Sequence, residues 1–592
     1  MCGIIGYVGN KNTLHVLIDG LKSLEYRGYD SAGIAYLKNK VKIIKEIGKV
    51  SNLEDSLNIN DKTNIGIGHT RWATHGIPNK INSHPHSVGK ITLVHNGIIE
   101  NYQEIKKDLE TKNYKFKSDT DTEVGCALLD YLYKNNNDMN KAIVEFQKII
   151  KGSYALAIMT EDDKEVLYTI KNQSPLLIGI GDDENFVASD ISAIIKYTNK
   201  AITLEDREFA KITATNIECY NEFGNIERKE IKTFDNSYNV NDKNDFEHFM
   251  LKEINEQPLV VKHTILPYLE NGIESLIEKM PDLRKYNKIH IVACGSAMHA
   301  GLIGKNLIEE FGNIEVEVDI ASEFRYKKLF LNKKSLIIVI SQSGETADTL
   351  AALKIAKEKK IDTLGIINVP NSTIARETKM ILYTKAGNEV AVATTKAYST
   401  QLAMLSLIAL NIGAHSFTHM KELTKDIKKL PILMEELLSK DYKKIAKKLY
   451  EHKDIFFIGR GIDYSISMEG SLKLKEISYI HSEAYPAGEL KHGTISLIEK
   501  GTPVIAILTE EKLKEKTISN IKEVIARGAK VITISNETID IGSYNITIAK
   551  IHKLFQSLLT IIPLQLIAYE VAKLKNCEID KPKNLAKSVT VE

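Results

Sequence analysis

The second half of this chain is written twice. Apolar, β-branched runs that read as buried strands begin near Ile289, Ser335 and Thr363, and again near Ile455, Pro503 and Lys530. The starts are 46 and 28 residues apart in the first set and 48 and 27 apart in the second. Segments with helical spacing lie between them, as in Ala347 to Lys360 and Ile518 to Arg527. Strand and helix in that alternation predict a parallel sheet with helices on its crossovers, so each copy is expected to be a doubly wound α/β unit.

The copies differ at a strand-to-helix turn. Ser341-Gln342-Ser343-Gly344-Glu345-Thr346 offers three hydroxyls and an amide at a helix start, where backbone N–H groups and the helix dipole favour a phosphate. The counterpart, Leu508-Thr509-Glu510-Glu511, carries two acids and would repel one. A phosphate site is expected in the first copy, although the same residues also suit a helix cap.

At 592 residues the chain is too long for one core, and three or four units are expected. The 43% apolar content is that of ordinary globular domains. Formal charge is 79 − 77 = +2, with lysines interleaved among acids, which gives no footprint for nucleic acid. Pairs such as Lys327-Lys328 and Lys443-Lys444 read as solvated helix faces. Cysteines at 2, 126, 219, 294 and 577 show neither paired nor metal spacing, which fits a reducing compartment. No charged leader precedes an apolar run at the start. The most apolar window, Leu554 to Ala572, is broken by Gln556, Pro563, Gln565 and Glu570 and reads as a buried helix, not a membrane span. A soluble, cytoplasmic protein without membrane partners is expected. The polar, Asn-rich stretch from Phe234 to Asp245 reads as a linker, and helical pattern resumes from Phe246 to Gln257, stopping at Pro258.

The first 236 residues alternate strand-like and loop-like runs. Ile4 to Val8 and Ser31 to Leu37 read as buried strands, with a helix at Leu14 to Leu24 between them. If Met1 is removed, Cys2 carries both a thiol and the α-amine, and an amine titrating at roughly 7.7–8.0 can take the thiol's proton. Alone, Cys2 could equally begin a buried strand. Arg71, in His69-Thr70-Arg71-Trp72-Ala73-Thr74-His75-Gly76, can grip a carboxylate with its planar fork. The strand Ile91 to Gly97 ends in Asn96-Gly97, whose amide and backbone N–H form the donor pair an oxyanion needs. Ser118-Asp119-Thr120-Asp121-Thr122-Glu123 suits the N-cap of the apolar helix Val124 to Leu132, and one of its acids could also receive a substrate amino group. Histidines 69, 75, 84, 86 and 95 fall in separate loops and strand ends with no Cys or carboxylate at ligand spacing, so no metal is expected.

Together with Tyr26-Arg27-Gly28-Tyr29-Asp30-Ser31-Ala32-Gly33, these blocks resemble the class II glutamine amidotransferase domain, of the N-terminal-nucleophile type. The resemblance implies a four-layer α+β fold of two antiparallel sheets between helices, over residues 2–236. It also implies roles. Cys2 attacks the glutamine amide, and Asn96 and Gly97 hold the oxyanion. Arg71 binds the glutamine carboxylate and Asp121 its amino group, while Trp72, Thr74 and His75 cover the site.

The repeated half resembles two tandem sugar isomerase (SIS) domains, 248–425 with its preceding helices and 426–580, after a linker at 237–247 and before a tail at 581–592. The supporting motifs are Ser341 to Thr346, Glu469 to Glu476, Ala487 to Gly493 and the ending Asn584-Leu585-Ala586-Lys587-Ser588-Val589-Thr590-Val591-Glu592. The order of these parts resembles an aminotransferase family that moves ammonia from L-glutamine to D-fructose 6-phosphate with isomerisation, giving D-glucosamine 6-phosphate and L-glutamate, the first step of hexosamine synthesis. Glu476 would shuttle the proton between C1 and C2, with Lys473 close by. His492 would open the sugar ring, and Lys587 would form an imine while the tail folds over the sugar. Ser341, Gln342, Ser343 and Thr346 would hold the phosphate, with backbone contacts from Val392 and Ala586. The resemblance further implies an ammonia channel gated by Trp72, no cofactor, and a homodimer in which His492 reaches the partner's site. Three positions depart from the family's usual pattern: Ala297 lacks an expected hydroxyl, Lys583 stands where Arg is usual, and Thr394 replaces Ser. Uncoupled glutaminase and isomerase activities, or a phosphosugar-sensing protein, stay open as alternatives.

Overall fold

A computed structural model describes residues 2–72, 76–234, 243, 245–270, 272–414 and 420–590. They fall into two compact units, Met1–Val240 with Ala586–Glu592, and Asn241–Leu585. Thr74, His75 and most of the expected linker lie outside the described residues.

The first unit holds an eight-stranded and a seven-stranded sheet. The strand Gly3–Gly9 pairs antiparallel with Glu184–Ala188 and Ile65–Arg71, inside the larger sheet. Ile91–Ile99 pairs antiparallel with Gly152–Thr160 in the smaller one. Side chains alternate across a strand. In Gly3–Gly9, Ile5 and Tyr7 pack against the helix Thr13–Leu24, while Ile4 and Val8 join Ile67 and Val94 in the core between the sheets. The outer face of the smaller sheet packs on the helices Asp121–Asn136 and Met139–Ile149. The result is the expected helix, sheet, sheet, helix layering.

That parity also places the chemistry. Rows that supply Ile4, Ile67 and Val94 to the inter-sheet core continue, two residues along, into Cys2, His69 and Asn96.

The second unit contains two five-stranded parallel sheets with the same strand order. Lys288–Ala293, Ser335–Ser341 and Asp362–Ile367 form the middle of one, and Asp454–Gly459, Pro503–Leu508 and Lys530–Ser535 the middle of the other. One shared apolar core, containing residues of the helices Gly295–Gly312, Lys396–Gly413, Ile462–Ser478 and Lys553–Leu574, covers one face of each sheet. Separate clusters cover the other faces. Strands buried on both sides have no polar face, which is why Leu336 to Ile340 is apolar throughout.

Lys553–Leu574, the one described helix long and apolar enough to cross a membrane, is a core helix with 94% of its apolar window buried. Two expected boundaries move. Pro258 does not stop a helix: Phe249–Asn255 ends before it, and it sits in the first turn of Gln257–Leu269, where its missing N–H costs nothing. The helix expected at Ile518 to Arg527 starts a turn earlier, as Lys514–Ile525.

Candidate functional sites

Cys2 lies beside the backbone of Trp72, whose N–H donates to Sγ at 3.4 Å and whose carbonyl lies 3.5 Å from it. Burial pushes the thiol's pKa up; a positive charge at the chain's N-terminus, the Trp72 N–H and Arg71 pull it down. Such a thiol stays protonated until a base removes its proton.

Asn96 Nδ2 donates to the Cys2 carbonyl at 3.0 Å. Its orientation is set from behind, because His69 Nε2 lies 3.1 Å from Asn96 Oδ1 and 2.9 Å from the His95 carbonyl. Both are acceptors, so His69 carries its proton on Nε2. Burial pushes its pKa down to about 3, which keeps the ring neutral. Gly97 has φ +130°, and a Cβ there would sit 2.0 Å from the Ser153 carbonyl oxygen, so only glycine lets the chain bend here.

Arg71 is buried, donates to the Gly76 carbonyl at 3.2 Å, and feels the charges of Asp30 and Asp121. Asp121 opens the helix Asp121–Asn136, with Oδ2 accepting from Ile99 N at 2.8 Å. The two readings of this helix start separate onto different residues. Thr120 is the N-cap, and Glu123 turns back to accept from Lys117 N, Ser118 N and the Ser118 hydroxyl at 2.6–3.0 Å. Asp121 is thus not needed for the cap.

Four of the histidines read as scattered come together. His69 stacks on His84 with centroids 4.2 Å apart, His84 meets His86 edge-on at 5.1 Å, and His95 N donates to His84 Nδ1 at 3.4 Å. Burial holds the His84 and His86 rings well below the usual histidine range. They form a neutral polar layer behind Asn96. Trp72 is half-buried; Thr74 and His75 lie outside the described residues.

In the second unit, the helix Ile462–Ser478 carries Glu469, Lys473 and Glu476 at i, i+4 and i+7, on one face. Lys473 is fully buried, its Nζ 2.6 Å from Glu476 and 3.4 Å from Glu469. Burial alone would lower the ammonium's pKa; the two carboxylates outweigh it and hold it above the ordinary lysine range. Glu469, also fully buried, accepts from the Ser296 hydroxyl at 2.9 Å and from His299 Nδ1 at 2.8 Å. Lys473 Nζ donates to the Ser296 oxygen at 3.1 Å. Against the cost of burial, these partners hold Glu469 below its usual range. Sequence reading found Lys473 and Glu476 but missed Glu469, Ser296 and His299. The i, i+4 spacing of Glu469 and Lys473 was the available signal.

The turn after Ser335–Ser341 is tightly organised. Gly344 N donates to Ser341 Oγ at 3.0 Å, Thr346 Oγ1 lies 3.0 Å from the same oxygen, and Glu345 N donates to Ser343 Oγ at 3.2 Å. Gln342 sits between them. Val392 N donates to the Asp580 carbonyl at 2.9 Å, so only its carbonyl can serve a ligand. Glu389 steadies this loop by accepting from Thr395 N and Ala397 N, each at 3.0 Å. His492 is exposed, at the end of the short helix Glu489–His492. Ala586 and Lys587 group with the first unit, and Lys587 is half-buried there.

Among the described residues, His290, Glu317 and Asp319 have donor atoms close enough together for a cation. Lys327 Nζ already lies 2.7 Å from Glu317 and 2.5 Å from Asp319, and Lys288 Nζ 3.2 Å from Glu317, so ammonium groups fill that role.

Comparison with known proteins agrees with both halves. Residues 69–196 match the glutamine amidotransferase domain, and residues 282–411 and 448–575 match the SIS domain. Over 614 aligned residues and the full length of both chains, the protein is 48% identical to the glutamine–fructose-6-phosphate aminotransferase (isomerizing) of Clostridium tetani. The enzyme of that name from Thermus thermophilus is 43% identical, again over both full lengths. Among solved structures, the C-terminal domain of glucosamine-fructose-6-phosphate aminotransferase from Francisella tularensis is 39% identical with TM-score 0.54, covering 58% of this chain and all of that one.

Proposed function

The chain belongs to the glutamine–fructose-6-phosphate aminotransferase (isomerizing) family, and from that premise we propose how its residues divide the work. The reaction moves the amide nitrogen of L-glutamine to fructose 6-phosphate and leaves D-glucosamine 6-phosphate and L-glutamate.

In the first unit, Cys2 attacks the glutamine amide once its own α-amine has taken the thiol proton. The tetrahedral oxyanion rests on Asn96 Nδ2 and Gly97 N–H, and collapse expels ammonia, leaving a γ-glutamyl thioester that water cleaves. Arg71 takes the substrate carboxylate as a fork, Asp121 takes the ammonium, and Trp72, Thr74 and His75 cover the pocket. For the sugar chemistry, Ser341, Gln342, Ser343 and Thr346 hold the sugar phosphate, with the Val392 carbonyl and Ala586 as backbone contacts. His492 opens the ring. Lys587 forms an imine with the C2 ketone, releasing water, and ammonia displaces the lysine. Glu476, paired with Lys473 at 2.6 Å, carries the proton from C1 to C2. Ammonia reaches the sugar through an internal channel gated by Trp72.

We read the chain as glutaminase 2–236, linker 237–247, SIS domains 248–425 and 426–580, and a tail 581–592 that closes the sugar site. We place it in the cytoplasm, as a homodimer in which the exposed His492 serves the partner's sugar.

The observation that carries this reading is the Asn96 amide, held by His69 with its NH2 group on the Cys2 carbonyl. A glutamine-analogue electrophile should modify a mature chain that begins at Cys2; a retained Met1 would refute the nucleophile. Glutamate and glucosamine 6-phosphate should form together, and glutamate without amino sugar would refute the coupling.

A further inference from the structure

The two parallel sheets can be aligned residue by residue. Gly295 and Gly461 each stand two residues past the end of the first strand, at φ +54° and +58°, and each begins a helix. Ile291 pairs with Ile338 in one sheet, and Phe457 with Ile505 in the other. Carried forward, that register makes the strand ends Ser341 and Leu508 equivalent. It then matches Gln342 with Thr509, Ser343 with Glu510, and Ala297 with Asp463.

Asp463 is 2% exposed. Its Oδ2 accepts from Thr509 N at 2.7 Å and Glu510 N at 3.0 Å, and its Oδ1 accepts from the Thr509 hydroxyl. These are the counterparts of the Gln342 and Ser343 backbone in the turn read above as the phosphate site. The surroundings differ in the same sense. A Cβ built on Gly295 meets nothing within 4 Å, whereas one on Gly461 meets Leu513 at 3.1 Å and Glu510 at 3.7 Å. The two acids noted in the sequence are not what fills the turn, because Glu510 pairs with Lys553 at 2.8 Å and Glu511 with Lys550 at 2.9 Å.

We propose that the second SIS domain retains the anion cradle of the first and keeps it shut with the Asp463 carboxylate, so that a chain with two copies of the fold accepts one phosphate. The ligand that the open cradle would take is a phosphate dianion. Burial pushes the Asp463 carboxyl up to about 6 against the pull of its hydrogen bonds, the strain of a charge kept where solvent does not reach. The proposal rests on the reading of Ser341 to Thr346 as the phosphate turn.

The test is binding of inorganic phosphate to the full chain, by calorimetry and phosphorus NMR at millimolar phosphate. The wild type should bind one phosphate per chain, lost in Ser343→Ala. Asp463→Ala should bind a second, insensitive to Ser343→Ala. An Asp463→Ala chain that is folded by circular dichroism yet binds no second phosphate overturns the proposal. Wild-type binding that survives Ser343→Ala overturns the phosphate-turn reading instead. If Asp463→Ala does not fold, the reciprocal exchange decides. Ala297→Asp should close the first cradle and abolish phosphate binding while Ala297→Ser keeps it, and phosphate still bound by folded Ala297→Asp refutes the plug.

Discussion

Glu469→Gln isolates what the buried charges around Lys473 do for each other. The substitution keeps the size of the side chain and one acceptor oxygen but removes a carboxylate on which Ser296, His299 and Lys473 converge at 2.8–3.4 Å. Removing one partner of a buried ion pair costs about 3–5 kcal/mol, because the other charge is left uncompensated. Lys473 keeps Glu476 at 2.6 Å, so the loss should fall at or below the lower end of that range, about 2–3 kcal/mol. Glu469→Gln with Lys473→Met removes both fully buried charges and leaves only Glu476, whose side chain is 19% exposed, without its partner, so it should cost less than the sum of the single changes. The chain has one tryptophan, Trp72, in the first unit. Denaturant unfolding should therefore shift when followed by circular dichroism and stay put when followed by Trp72 fluorescence. The pH dependence has a definite sign. Glu469 titrates below its usual range in the folded chain, so its contribution is complete above the ordinary carboxylate pKa and is lost as pH falls through the folded value. Glucosamine 6-phosphate formation should fall while glutamine hydrolysis persists. A stability loss below about 1 kcal/mol, or strict additivity in the double variant, would refute the reasoning.

Three further outcomes are expected. Asn96→Ala should lower the glutaminase kcat by about 10²–10³-fold with far less change in KM, the signature of a lost oxyanion donor, checked by glutamate release. Gly97→Ala forces a Cβ to within 2.0 Å of the Ser153 oxygen at φ +130°, and should cost at least about 1–3 kcal/mol in thermal unfolding along with glutaminase activity. Asp463 holds its proton up to about pH 6 when folded, against an ordinary 3.8, so wild-type stability relative to Asp463→Asn should fall by about 2 kcal/mol as pH rises from 4 to 6; a flat difference across that window would contradict the burial argument.

What was legible in the sequence was what repeats at short range. Strands buried on both faces are continuous apolar runs, so all six expected strand starts in the second half lie within two residues of the observed ones. The order of motifs singled out Cys2, Arg71 and Asn96 as candidates, and the fold sets the Asn96 amide on the Cys2 carbonyl. What was hidden depends on pairs far apart in the chain. His69 supports Asn96 across 27 residues, and Ser296 reaches Glu469 across 173; no local period encodes either contact. His69, His84, His86 and His95 went unlinked for the same reason, since their separate segments converge only once the two sheets face each other.

The departures from the family pattern also read differently in three dimensions. Lys583 cannot reproduce a guanidinium fork, yet its Nζ stands 4.5 Å over the ring of Tyr479, and its backbone N–H donates to the Tyr479 hydroxyl at 2.8 Å. A ring face attracts an ammonium as well as a guanidinium, so this anchor needs the charge and not the fork. Ala297 lacks a hydroxyl, but Ser296 beside it supplies one to the Glu469 and Lys473 pair. The same small side chain leaves room at the point where Asp463 fills the other copy. On the plug argument, residue 297 therefore has to be uncharged and short more than it has to be polar. That ranks the substitutions it can bear, with serine tolerated and aspartate excluded, and it gives the asymmetry of the two repeats a cause at a single position.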